Sequence, residues 1–284
     1  MRWRGRRQSE NIEDRRGSRI SRGVVGGGLG TVALVLLAMY LGIDPSVVLQ
    51  GVGTTQVGQP DGQHTTESPL EAEWREQIAV VLADTEDAWR VEFAGMGGDY
   101  REPTLVLFSG AVDSGCGFAE AAMGPFYCSA DERVFIDLAF FDELQARLGA
   151  GGDFARAHVV AHEVGHHVQN LLGTSGRVQE LRRRVGEVET NQLSVRLELQ
   201  ADCFAGLWAR HADRTAGVLE PGDIEEALNA ASAIGDDTLQ KNAGRAVVPD
   251  SFTHGSSGQR VRWFRRGYDS GLLGGCDSFR EADL

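Results

Sequence analysis

Ala157–Gln169 reads AHVVAHEVGHHVQ and contains His162-Glu163-Val164-Gly165-His166, an HExxH. Residues four apart share one face of a helix, so both imidazoles reach a single cation while Glu163 stands beside them. The segment is therefore expected to be helical, capped at Asp153 and stopped by Gly173 after Leu172. Zinc prefers imidazole nitrogen, and two histidines with one carboxylate leave a fourth position for water. The metal lowers the pKa of that water, and Glu163 is placed to accept its proton and pass it to a leaving amine. A chance HExxH is expected on the order of 0.01 times in a chain of this composition, so the motif outweighs coincidence.

The third ligand must come from elsewhere, because no HExxHxxGxxH continuation follows. Arg196–Gly206 reads RLELQADCFAG on an apolar-periodic helix, and its Glu198 and Asp202 are four apart on one face. One carboxylate can ligate zinc while the other orients a zinc-bound imidazole through its second nitrogen. The alternative is a solvated pair of acids. Ala201 and Ala205 on the same face, with no basic neighbour at i+4, favour the ligand reading.

Residues 1–22 carry eight Arg and three acids, a local +5 in a chain whose formal charge is −13. An acidic body argues against a nucleic-acid partner. Residues 23–43 then run without a charge, GVVGGGLGTVALVLLAMYLGI, long enough to span ~30 Å of hydrocarbon as a helix. The positive-inside rule predicts a cytoplasmic basic N-terminus (1–22), a transmembrane helix through the lipid bilayer (23–43), a linker (44–69) and an extracytoplasmic domain (70–284). A cleaved signal peptide is the alternative, disfavoured by the absence of a small-x-small site near Ala38-Met39-Tyr40-Leu41.

Outside the cytoplasm the four cysteines can pair. Cys116 and Cys128 bracket a short segment and are the natural local pair, leaving Cys203 with Cys276; four buried thiols are the alternative.

Periodicity predicts a helix from Glu71 to about Phe93, strands at Thr104–Phe108, Pro125–Cys128 and Val134–Asp137, and then mainly helices. These helices cover Phe140–Leu148, Asp153–Leu172, Arg177–Gly186, Thr190–His211, Asp223–Ile234 and Ser256–Tyr268. A few early strands followed by helices define an α+β class, mostly helical with a small sheet.

HEVGHHVQ, RLELQADCFAG and FTHGSSGQRVRWFRRGY, with GCGFAEAAMGPFYC and VFIDLAFFDEL, together resemble the putative neutral zinc metallopeptidase family of bacterial membrane-anchored proteins, over roughly residues 70–280. The resemblance implies a zincin-like domain with His162 and His166 as ligands and Glu163 as catalytic base. By analogy with glutamate-type zincins it makes Glu198 the third ligand and Asp202 its partner behind the metal. His158 departs from the family, where an aromatic such as Tyr is expected; at i−4 from His162 it is read as a packing residue. His167 points about 100° away from His166 and is read as packing or hydrogen-bonding behind the site. His254, in Ser251–Ser256 before the last helix, either donates to the oxyanion of a tetrahedral intermediate or caps that helix.

The expectation is a single-pass zinc endopeptidase of the bacterial cell membrane, facing outward. It carries one Zn2+ per chain and holds a polypeptide along an edge strand at Pro125–Cys128. One alternative is a zinc amidase acting on cell-wall peptides; another is a non-catalytic, zinc-stabilised envelope scaffold or binding protein. Glu163 argues against the scaffold, since a structural site needs no base and would be closed by a fourth protein ligand.

Overall fold

A computed structural model of the chain describes residues 1–17, 67–281 and 284. Among them lie six strands and eight α-helices. The first strand is β1 (Ile12–Asp14), followed by α1 (Pro69–Gly95), β2 (Thr104–Phe108), β3 (Ala111–Ser114), β4 (Gly117–Glu120), β5 (Phe126–Cys128) and β6 (Arg133–Asp137). The helical half holds α2 (Ala139–Leu148), α3 (Asp153–Leu171), α4 (Thr174–Arg182), α5 (Glu187–Ala216), α6 (Asp223–Ala233), α7 (Asp236–Asn242) and α8 (Ser257–Ser270).

The sheet order is β1-β2-β6-β5, with β1, β2 and β6 parallel and β5 antiparallel to β6 at an edge. Period-two alternation splits its two faces. Leu105, Leu107, Val134 and Ile136 enter the helical core, while Val106, Phe108 and Phe135 pack beneath the β3–β4 hairpin. Helix α1 begins with a capping box: the Ser68 hydroxyl accepts from the Glu71 amide and the Glu71 carboxylate accepts from the Ser68 amide, with Pro69 in the first turn.

Two helix crossings position the metal centre, and both depend on glycine. A Cβ on Gly165 would stand 3.1 Å from the Ala201 Cα, so α3 and α5 meet backbone to backbone. A Cβ on Gly267 would stand 1.9 Å from the Cys203 carbonyl oxygen, and one on Gly206 would lie 2.0 Å from that of Phe264, so α5 and α8 are closer still. Cys203–Cys276 ties α5 to the C-terminal segment, and Cys116–Cys128 ties the β3–β4 turn to β5. Both pairings are those the spacing suggested.

The N-terminal expectation requires correction. Residues 1–16 are no tail, because Met1–Arg16 and Glu67–Leu284 form one compact unit. Met1 and Trp3 are buried in the helical core, and β1 runs parallel to β2 in register Ile12↔Leu105. The arginines find acids on and beside α1: Arg6 on Asp84, Arg7 on Glu86 and Asp87, Arg16 on Glu67. A single crossing by residues 23–43 would put β1 and β2 on opposite sides of a membrane, yet they share one sheet. Among the described residues no helix is long and apolar enough to cross a membrane. The preceding transmembrane helix is thus removed from the fold class, and so is the basic segment as a separate cytoplasmic domain. Residues 23–43 and most of the linker expected at 44–69 lie outside the described residues.

Smaller differences are local. Helix α5 begins at Glu187 and continues to Ala216, so His211 does not end it. Asp153 is the first residue of α3 rather than its cap, and its carboxylate accepts from the Met1 ammonium.

Candidate metal centre

The crossing at Gly165 brings three donors of α3 and α5 together. His162 Nε2 lies 3.1 Å from Glu198 Oε2 and His166 Nε2 lies 3.5 Å from Glu198 Oε1. One ligand atom from each of His162, His166 and Glu198 falls within 4.8 Å of the other two. The set fits zinc in its chemistry as well as its spacing. His162 Nδ1 donates to Asp202 Oδ1 at 2.9 Å, and His166 Nδ1 donates to Gln169 Oε1 at 2.9 Å. With Nδ1 of each ring committed, Nε2 of each faces Glu198, and it is this nitrogen that would give up its proton to hold a metal.

The surrounding charges are strongly coupled. Burial pushes His162 down, but Asp202 and Glu198 outweigh it and hold the ring up at about 10; His166 is raised in the same way by Glu198. Burial would raise Glu198, yet the two imidazoles hold it well below the usual carboxylate range. Asp202 is also held low against its burial, by Arg260 first and His162 second. The Arg260 guanidinium, itself buried on α8, grips both Asp202 oxygens, Nε to Oδ2 at 2.8 Å and Nη2 to Oδ1 at 2.9 Å.

A cleft of about 770 Å³ opens over these residues, lined by His162, Glu163, His166, Glu198, His254, Arg260 and the edge strand at Phe126 and Tyr127. The strand is pinned by a chain of hydrogen bonds from α3. Asn170 Nδ2 donates to the Tyr127 hydroxyl at 3.1 Å, which donates to His167 Nδ1 at 3.0 Å, whose Nε2–H donates to the Arg101 carbonyl at 2.6 Å. Burial pushes the His167 pKa down, which suits a neutral ring that both donates and accepts. His167 therefore acts on the strand, away from the metal ligands.

His254 also faces the cleft. Its Nδ1 lies 3.3 Å from Asp236 Oδ1 and 3.0 Å from the Thr253 hydroxyl. His158 is fully buried against Phe264, with no hydrogen-bond partner on either ring nitrogen among the described residues, and burial drives its pKa down to about 3. Its Nε2 is 3.7 Å from Asp202 Oδ1, too far for a hydrogen bond, and it is not among the donors that converge.

Gln169, Arg260, Asp236 and Tyr127 were missed in the sequence. Gln169 had a local signal, since it sits at i+3 from His166 inside the motif stretch. Arg260 lies in the quoted stretch FTHGSSGQRVRWFRRGY, but nothing there points to its partner 58 residues away, and Asp236, 18 residues from His254, had no signal.

The chain belongs to the family described as putative neutral zinc metallopeptidase, which matches residues 1–279. It is 50% identical over 291 residues to the uncharacterized protein YpfJ of Escherichia coli (strain K12), covering 98% of this chain and 99% of that one. It is 42% identical over 263 residues to an uncharacterized protein of Mycobacterium tuberculosis (strain H37Rv), covering 87% of this chain and 86% of that one. No solved structure matches the chain.

Proposed function

We propose that the protein is a zinc-dependent peptidase that hydrolyses peptide bonds outside the cytoplasm, with one zinc per chain held by His162, His166 and Glu198. The observation that carries this reading is the convergence of both Nε2 atoms on Glu198 beneath an open cleft. Zinc there supplies Lewis-acid polarisation of the scissile carbonyl and acidifies water. Glu163 follows the first ligand histidine and lines the cleft, where its carboxylate takes the proton of the attacking water and returns it to the leaving amine. His254, turned by Asp236, donates to the developing oxyanion. A polypeptide adds by backbone pairing to β5, the edge strand among the described residues, which Tyr127 holds. Two disulfides support an oxidising compartment.

The test is metal analysis and peptide release by the purified full chain and its Glu163→Gln variant, on a denatured protein digest followed by mass spectrometry. The expected result is about one zinc per chain in both proteins, with turnover lowered at least ~10²-fold in the variant. Full hydrolysis by Glu163→Gln would reject base-assisted catalysis here.

A further inference from the structure

The Asp202 carboxylate is buried, and its neighbours are His162 Nδ1 at 2.9 Å, His158 Nε2 at 3.7 Å and the Arg260 fork at 2.8 and 2.9 Å. At 3.7 Å His158 lies beyond hydrogen-bond reach of the carboxylate. A histidine that ligates a metal through Nε2 is neutral, so the carboxylate is then gripped by one cation among these neighbours, Arg260. A buried carboxylate without a cation is strongly disfavoured, and one bound at a single point could turn. The fork removes both freedoms: Nε and Nη2 each take one oxygen, which a lysine ammonium cannot reproduce. Arg260 itself sits one turn into α8 after the Ser256 capping box, on the helix brought against α5 by Gly206 and Gly267.

We infer that Arg260 is a positioning residue of the metal centre: its fork locks the Asp202 carboxylate so that Oδ1 holds the His162 Nδ1 proton and Nε2 faces Glu198. It acts mainly through Asp202, since its Nη2 lies 3.4 Å from a His162 Nδ1 that already donates to Oδ1. This rests on the zinc-site reading above. A merely structural Arg260, clamping α8 to α5, would leave zinc affinity unchanged in any variant that folds.

The experiment measures zinc affinity by chelator competition at pH 7 in the full chain, alongside the absorption spectrum of the Co2+-substituted protein. Four proteins are compared: the parent, Arg260→Lys, Asp202→Asn, and the double variant Asp202→Asn/Arg260→Gln, which leaves no buried charge unpaired. Asp202→Asn is expected to weaken zinc binding ~10–100-fold, and Arg260→Lys about 10-fold with a shifted Co2+ spectrum. The double variant should match Asp202→Asn within about threefold, because a group acting through Asp202 has nothing left to act on. Parental affinity and spectrum in a folded Arg260→Lys would overturn the inference, as would a double variant weaker than Asp202→Asn by more than ~10-fold. If Arg260→Lys does not fold, the comparison of Asp202→Asn with the double variant decides. Parental zinc affinity in His162→Ala would instead strike the donor set, whatever Arg260 does.

Discussion

Asp236 holds His254 from two sides: Oδ1 lies 3.3 Å from the ring Nδ1, and Oδ2 accepts from the backbone amides of Thr253, His254 and Gly255 at 2.6–3.0 Å. The contact raises the His254 pKa above its ordinary value, chiefly through the hydrogen bond to Asp236 and against burial. A protonated ring with Nδ1–H committed to Asp236 still has Nε2–H to donate into the cleft, which an oxyanion requires.

The catalytic consequence is a pH limb. His254→Ala should lower kcat/KM about 10²–10³-fold while leaving zinc content unchanged. Donation fails as pH rises through the raised pKa, so Asp236→Asn should move the basic limb of kcat/KM to lower pH. An unmoved limb would show that His254 does not supply the proton donor.

Metal removal should expose a different pH dependence. Without zinc, Asp202 and Glu198 raise His162 to about 10, and Glu198 raises His166. Groups raised on folding stabilise the protein below their unfolded pKa, near 6.5, and that contribution is lost as pH rises through the folded value. Chelator-treated protein should therefore lose on the order of a few kcal/mol between pH 6.5 and 10. The zinc-loaded protein, whose ligand histidines stay neutral throughout, should lack that loss. Parallel denaturant titrations with and without chelator make the comparison, and identical pH slopes would contradict the assigned ligands.

The crossing of α5 and α8 gives a stability prediction. A methyl group at Gly267 would overlap the Cys203 carbonyl, which is backbone and cannot rotate away. Gly267→Ala should therefore cost at least about 3 kcal/mol, the upper range for overpacking, seen as a lowered melting temperature. It should also weaken zinc binding, because the same crossing sets Arg260 on Asp202. A variant with parental stability would mean that the helices separate freely.

What the sequence disclosed follows the range of the interactions. HExxH and the Glu198/Asp202 spacing are helical-face patterns, so His162, His166, Glu198 and Asp202 could be brought together on paper. The disulfide pairs followed from loop length and elimination. Arg260 and Asp236 could not be found this way, because only the tertiary fold brings them to their partners. The β3–β4 hairpin and α7 are too short to show a clear period, and the hairpin turn is tied to β5 by Cys116–Cys128. The N-terminus misled for a physical reason. Arginines before an uncharged run satisfy the positive-inside rule, and nothing local reveals that Asp84, Glu86 and Glu67 are waiting for them.

Trp3 tests that correction directly. It is 5% exposed, packs in the same core as residues of α1 and α6, and lies under the Arg4 guanidinium at 5.1 Å. On a tail across a membrane, or on a loose one, Trp3→Ala would remove nothing the domain uses. In this fold it empties a large side chain from a packed core, and such truncations cost about 3–5 kcal/mol. Trp3→Ala should therefore lower the melting temperature of the purified full chain, with zinc content measured in parallel to separate loss of packing from loss of metal. Arg4→Ala, a rim residue paired with Glu73 at the surface, is the control and should change stability by less than about 1 kcal/mol. If Trp3→Ala melts with the parent, residues 1–16 are not part of the core, and β1 does not belong to the sheet.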